Sequence, residues 1–194
     1  MTFAVRRTVL VAALAALTAC SLPADVDEAP VAMGDFLLGH NIVVVDEPEV
    51  LPFSRYASDE EWKDALTGAI ARRFGAYNGD RFYHIGVKID GYALALPGVP
   101  VVFTPKSVLV ITVSLWDDAA GVRLNEDEKA LTIFEGVSSE TLVSSGLMRN
   151  KKQQMQTLSY NAAKAIQDWI LENPEWIGLP ALAEAVQTTD APAN

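Results

Sequence analysis

From Phe82 onward the chain alternates, with Tyr83, Ile85, Val87 and Ile89 apolar and His84, Gly86, Lys88 and Asp90 between them. A period of two belongs to a strand with one buried face. Gly91 and the Leu96-Pro97-Gly98-Val99-Pro100 run are expected to bend or interrupt it. The period returns at residues 107–116, where Leu109, Ile111, Val113 and Leu115 share one face and Val108, Val110 and Thr112 the other. Apolar residues on both faces predict a strand deep in the sheet. Asp117-Asp118-Ala119-Ala120-Gly121 reads as a turn, and residues 130–137 as a further strand. Upstream, Asn41-Ile42-Val43-Val44-Val45-Asp46 is nearly continuous and β-branched, which predicts a strand buried on both faces or central in the sheet, ended by Glu47-Pro48. The short separations between the later strands favour a meander.

Two stretches change period to 3.6. In the first, Trp62, Leu66, Ala69, Ile70 and Phe74 recur at three- and four-residue spacing. Ser58 followed by Glu61 forms a capping box at its start, and Gly75 stands where a left-handed cap is expected. Trp62 and Phe74 read as packing of this helix on the sheet in preference to a ligand-stacking pair. In the second, over residues 150–172, Met155, Leu158, Ala162, Ile166, Trp169 and Ile170 form a stripe that Asn173-Pro174 stops. Beyond it Trp176-Ile177 is expected to pin the chain back to the domain. The pattern predicts an α+β fold: an antiparallel-rich sheet of about four strands with two long helices packed on one face, in the order β-α-β-β-β-α.

The amino terminus carries a different signal. Arg6-Arg7 precede an apolar run that closes on Leu17-Thr18-Ala19-Cys20, and Cys20 is the only cysteine in the 194 residues. The run is too short for a spanning helix, which needs roughly 20 apolar residues. The arrangement resembles the lipobox of bacterial lipoproteins. That resemblance implies a signal peptide over residues 1–19, removed on maturation, and a palmitate-bearing lipid anchor on Cys20. The residues after Arg6-Arg7 lack the Lys of the twin-arginine pattern, so the general secretory route is expected. Ser21, where Asp would imply retention in the inner membrane, implies the outer membrane and its periplasmic face. Residues 20–34 then read as a lipidated flexible tether, 35–179 as a single domain, and 180–194 as a short helix and disordered tail.

Charge and composition narrow the partners. Loss of Arg6 and Arg7 takes the formal net charge from −10 to −12, which repels nucleic acid and anionic lipid surfaces. Half the residues are hydrophobic, enough for one sizeable core. With Cys20 consumed by lipid, stability must come from packing. In element order the chain is similar to small α+β envelope domains: the lipopolysaccharide-assembly lipoprotein, the auxiliary lipoproteins of lipid-transporting ABC systems and the amino-terminal domain of the Tol translocation protein. No residue motif is shared, and no binding residue is carried over.

Candidate chemistry is sparse. His40 and His84 fall in different elements with no ligand at metal spacing, and His84 reads as a solvated or interface residue. Residues 117–128 fail as a calcium loop, because Ala119 and Gly121 replace oxygen ligands and Val122 stands where Gly is required. Ser144-Ser145-Gly146 is not a nucleophile elbow, and no phosphate-binding Gly loop occurs. No catalytic residue, metal or cofactor is therefore expected. The connection over residues 94–105 is apolar and Pro-rich, so Leu96, Val99, Val101 and Phe103 are expected to border a surface for an envelope protein partner, unless the loop folds over the core. The function expected is that of a non-enzymatic, periplasm-facing lipoprotein that binds or positions envelope partners. The alternative is an accessory of lipid or lipopolysaccharide transport holding an acyl chain between helices and sheet.

Overall fold

The alternating segments form one five-stranded sheet, and both helices lie on a single side of it. The structure is a computed structural model and describes residues 31–96, 107–135 and 150–180. Residues 1–19, read as a signal peptide, Cys20, most of the stretch read as a tether, Val99, Val101, Phe103, the Ser144-Ser145-Gly146 run and the residues beyond 180 lie outside the described residues. The elements are β1 (Phe36–Val50), α1 (Asp59–Phe74), β2 (Arg81–Ala93), β3 (Val108–Asp117), β4 (Val122–Arg123), β5 (Lys129–Phe134), α2 (Lys151–Leu171) and a 3-10 turn (Pro174–Ile177). The order is the expected β-α-β-β-β-α, with β4 as a two-residue addition.

β1 and β2 are parallel, joined through α1, as a parallel pair requires a crossover. β2 and β3 are antiparallel, and β4 and β5 pair in succession along the other edge of β3. The outcome differs from expectation at β1. This strand is longer than residues 41–46 and is the sheet's edge, with Ile42 and Val44 exposed on the side away from the helices. A continuous β-branched run satisfies a two-faced buried strand and an exposed edge strand equally, so composition could not separate them.

Tyr83, Ile85, Val87 and Ile89 of β2 and Leu109, Ile111, Val113 and Leu115 of β3 point to the helices and are buried. Trp62, Leu66, Ile70 and Phe74 of α1 and Leu158, Ala162, Ile166 and Ile170 of α2 close over them in the same cluster. β2 does not stop at Gly91. An extra residue at Asp90, between the Ile89–Ile111 and Gly91–Val110 pairs, shifts the alternation by one, so Tyr92 and Leu94 are buried as well.

Local chemistry sets the helix ends. The Ser58 hydroxyl accepts from the Glu61 amide, and the Glu61 carboxylate accepts from the Ser58 amide at 2.9 Å. Asn150 and Gln153 repeat the device on α2. Lys151 then reaches Glu61 at 2.6 Å, tying the two helix N-termini together. Gly75 ends α1 at φ −71°, an ordinary right-handed value; its N–H bonds the Ala71 carbonyl, so no left-handed cap forms.

Aromatic residues fasten the ends of the domain to the sheet. The Tyr92 hydroxyl donates to the Ala57 carbonyl at 3.0 Å and accepts from the Ala57 amide at 3.1 Å, holding the entry to α1. Its ring lies 5.1 Å from that of Trp62. Tyr83 stacks on Phe36 and donates to the Trp176 carbonyl at 2.8 Å; burial pushes its phenol up from the usual value. Ile177 is buried and its carbonyl accepts from the Asp35 amide, so the Trp176-Ile177 segment does pin the chain back. Met33, inside the stretch read as tether, is also buried in the core.

Trp62 is fully buried. Its replacement by Ala should cost about 3–5 kcal/mol in a denaturant melt, and an unchanged midpoint would show that the core re-forms without it.

Glu61 is held below its ordinary 4.5, first by the hydrogen bond from Lys151 and then by the Ser58 amide. A depressed carboxylate adds stability that is complete above 4.5 and is lost as pH falls through the lower folded-state value. The side chain is 43 % exposed, so the gain is under about 1 kcal/mol. Lys151→Met should therefore lose stability less steeply than the parent as pH falls below about 4.5. Parallel pH profiles would show that the pair is uncoupled.

Candidate functional site

The side of the sheet away from the helices is uncovered by any described element. The pleat sends Ile42 and Val44 of β1, Phe82 of β2, Trp116 of β3 and Phe134 of β5 to this side, exposed at 56, 47, 49, 42 and 57 %. Register sets them in rows: Ile42 lies beside Gly86 and Gly86 beside Ser114, while Val44, Lys88 and Thr112 make the next row. Since Gly86 has no side chain, a shallow hollow of about 160 Å³ opens between Ile42, Val44, Lys88, Thr112 and Ser114. That is below the roughly 300 Å³ at which small-molecule pockets begin. The polar groups around it are paired. Thr112 donates to Asp90 at 2.6 Å, Lys88 approaches Asp90 at 3.5 Å, and the Trp116 indole donates to Ser114 at 3.3 Å.

At the Phe82 end of this face the structure brings the two histidines together. β1 carries one extra residue between Leu38, which faces Tyr83, and Asn41, which faces Ile85. Such a bulge leaves an amide outside the ladder. Here the His40 amide donates to Nδ1 of His84 at 2.8 Å. Nδ1 accepts, so the neutral ring carries its proton on Nε2, which lies 2.8 Å from the Asp118 carboxylate. The rings of His40 and His84 lie 4.8 Å apart. Both nitrogens of His84 are engaged, which leaves none to take a proton from a substrate. The arrangement holds the bulge in place. Gly39 makes room for it, because a Cβ there would lie 2.4 Å from Nδ1 of His84.

Sequence reasoning placed His84 on the polar side of its strand but missed its neighbour, 44 positions away. The adjacent Gly39-His40 was the one local sign of an irregularity. Asp117, read as the first residue of a failed calcium loop, is buried, pairs with Arg81 and accepts from the Ala120 amide at 3.2 Å. Among the described residues no group of three or more His, Cys, Asp or Glu is placed to hold a metal.

Of the four residues expected to border a partner surface, only Leu96 is described, and it is 41 % exposed. Both ends of its connection are anchored: Leu94 and Ser107 are buried, the Ala95 amide donates to Ser107 at 3.2 Å, and the Ala95 carbonyl accepts from Gln154 at 3.2 Å. The layer between helices and sheet, where an acyl chain was the alternative occupant, is filled by the side chains of the core cluster.

No family model and no curated protein matches the chain. Several solved structures match the chain at low similarity. A hypothetical protein of Chlamydia trachomatis is 8 % identical, with 70 % of this chain and 98 % of that one covered at a TM-score of 0.38. A Xanthomonas campestris protein of family DUF330 is 10 % identical over 75 % and 90 %, at 0.40. A minor lipoprotein of Acinetobacter baumannii is 14 % identical over 69 % and 93 %, at 0.25. At such scores none of them bears on what this protein does.

The bulge should show itself as a coupling. Gly39→Ala should destabilise by about 1–3 kcal/mol through overpacking against the His84 ring. In a His84→Ala background the same substitution should cost far less. Additive losses in the double-mutant cycle would mean that the ring yields without strain.

Proposed function

We infer that this is a lipid-anchored protein of a bacterial envelope, held by Cys20 at the periplasmic face of the outer membrane, whose α+β domain docks with other envelope proteins and performs no catalysis. The observation that carries the reading is the ordered set of Arg6-Arg7, the apolar run and Leu17-Thr18-Ala19-Cys20 ahead of a domain without another cysteine. Docking is supported by the apolar side chains on the helix-free face, which polar pairs rim without forming a small-molecule pocket. Catalysis is disfavoured by the double engagement of His84, the ring otherwise best placed as a base. An acyl-carrying role is disfavoured by the close filling of the layer where a chain would lie.

The anchor is tested by expressing the full chain in a bacterium fed radiolabelled palmitate. Label should appear in a membrane-bound product shortened by residues 1–19, and Cys20→Ser should lose both label and processing. A labelled, processed Cys20→Ser variant would sink the reading.

A further inference from the structure

We propose that the free edge of β1 is a self-association site, where two copies of this chain pair antiparallel across a two-fold axis at Val43 and join their sheets into one. The inference goes beyond the docking reading and does not depend on the lipid anchor.

β1 spans 15 residues and pairs as a strand only with β2 among the described residues, so along the ladder every second residue turns its amide and carbonyl outward. An unpaired row of alternating donors and acceptors is complementary to another extended strand. Edges are usually blunted by Lys, Pro or an inward charge, and residues 41–45 carry none of these. The opposite edge is protected differently. β5 is six residues long, begins with Lys129, and its Phe134 carbonyl accepts from the Asn161 side chain (Nδ2) at 3.0 Å.

Charge and side-chain pattern select the second copy and its direction. β1 is lopsided: Asp46, Glu47 and Glu49 crowd its end, and His40 is the only other titratable residue in the strand. A parallel pair of β1 strands would set each acid beside its own copy, which is repulsive. Antiparallel pairing centred on Val43 sets His40 opposite the other copy's Asp46, and Ile42 opposite its Val44. The period of two keeps the Ile42–Val44 pairs on the helix-free face, where both side chains are now half exposed, while His40 and Asp46 stand at the bulges that end the regular stretch. Each apolar side chain thereby gains a cross-strand partner, and the acids are carried to opposite ends of the junction. The regular stretch runs between the two bulges of β1, one at Gly39-His40 and one over residues 46–48, so the irregularities frame the pairing segment.

The test uses the full chain purified in mild detergent, with protein mass from light scattering at roughly 100 μM. A dimer is expected, and a monomer at that concentration overturns the proposal. Ile42→Asp with Val44→Asp should give monomers whose melting temperature matches that of the parent diluted to the monomer, because both positions are exposed in the single chain, while Phe134→Asp on the far strand should remain dimeric. A dimer that survives the β1 double variant, or that is lost with Phe134→Asp, places the interface elsewhere. Register is read by oxidising a mixture of the separate Ile42→Cys and Val44→Cys proteins and mapping the linked peptides. A link from position 42 to position 44 supports the two-fold at Val43; links from 42 to 42 and from 44 to 44 indicate parallel pairing and overturn it. A peptide from another protein copurifying along β1 of a monomeric chain would likewise overturn it.

Discussion

A parallel pair of strands cannot be closed by a tight turn, and the pairing of β1 with β2 carries that constraint into the rest of the domain. The chain must leave β1, travel back and re-enter beside it, and α1 is the return path. Travelling back along one side of the sheet, α1 delivers Trp62, Leu66, Ile70 and Phe74 to the core cluster under the strands. Among the described residues the pairing also leaves β1 with a single neighbour, which makes it an edge. Finally it sets Gly39-His40 against His84, where the bulge and its imidazole acceptor form.

The helix seam rests on packing, with polar contacts at its ends. Lys151 and Glu61 join the N-termini, and toward the other end Arg73 donates to Gln167 at 2.7 Å while Gln167 donates to the Tyr77 hydroxyl. Burial pushes the Tyr77 phenol up, against the opposing effects of Gln167 and Arg73. Exposed ion pairs contribute under about 1 kcal/mol each, whereas a fully buried large apolar side chain contributes about 1.5–3. The buried side chains of the two helices, among them Leu66, Ile70, Leu158 and Ile166, therefore contribute more than these polar pairs. Among the described residues, Trp62 Nε1, Gln154 Oε1 and Ser159 Oγ lie buried without a hydrogen-bond partner, a cost that the same packing offsets.

With both helices on one side, the two faces of the sheet have different chemistry. One is closed and apolar; the other carries aromatic and aliphatic side chains in water around a shallow hollow. A domain of this kind offers a partner a broad surface and a strand edge, and offers a small substrate little enclosure.

The sequence by itself determined the features that local physics controls. The alternation at residues 82–90 and 107–116 marked strands with a buried face, the 3.6 stripe and capping boxes marked the helices, and their order defined an α+β domain with helices on one side. The resemblance to a lipobox is legible because its residues are contiguous. The tertiary structure decided the rest. Whether residues 41–45 lay inside the sheet or on its edge depended on which strands pair, and an apolar run is compatible with both. The phase shift at Asp90 that buries Tyr92 depended on the partner's register. The meeting of His40 with His84, and the need for Gly39 beside them, arose from a pairing that joins positions 44 residues apart. Gly75 fell in right-handed geometry with its amide on the Ala71 carbonyl, a choice that residue type alone does not make. Periodicity reports which way a residue faces along its own element, but only the packed sheet determines what it faces.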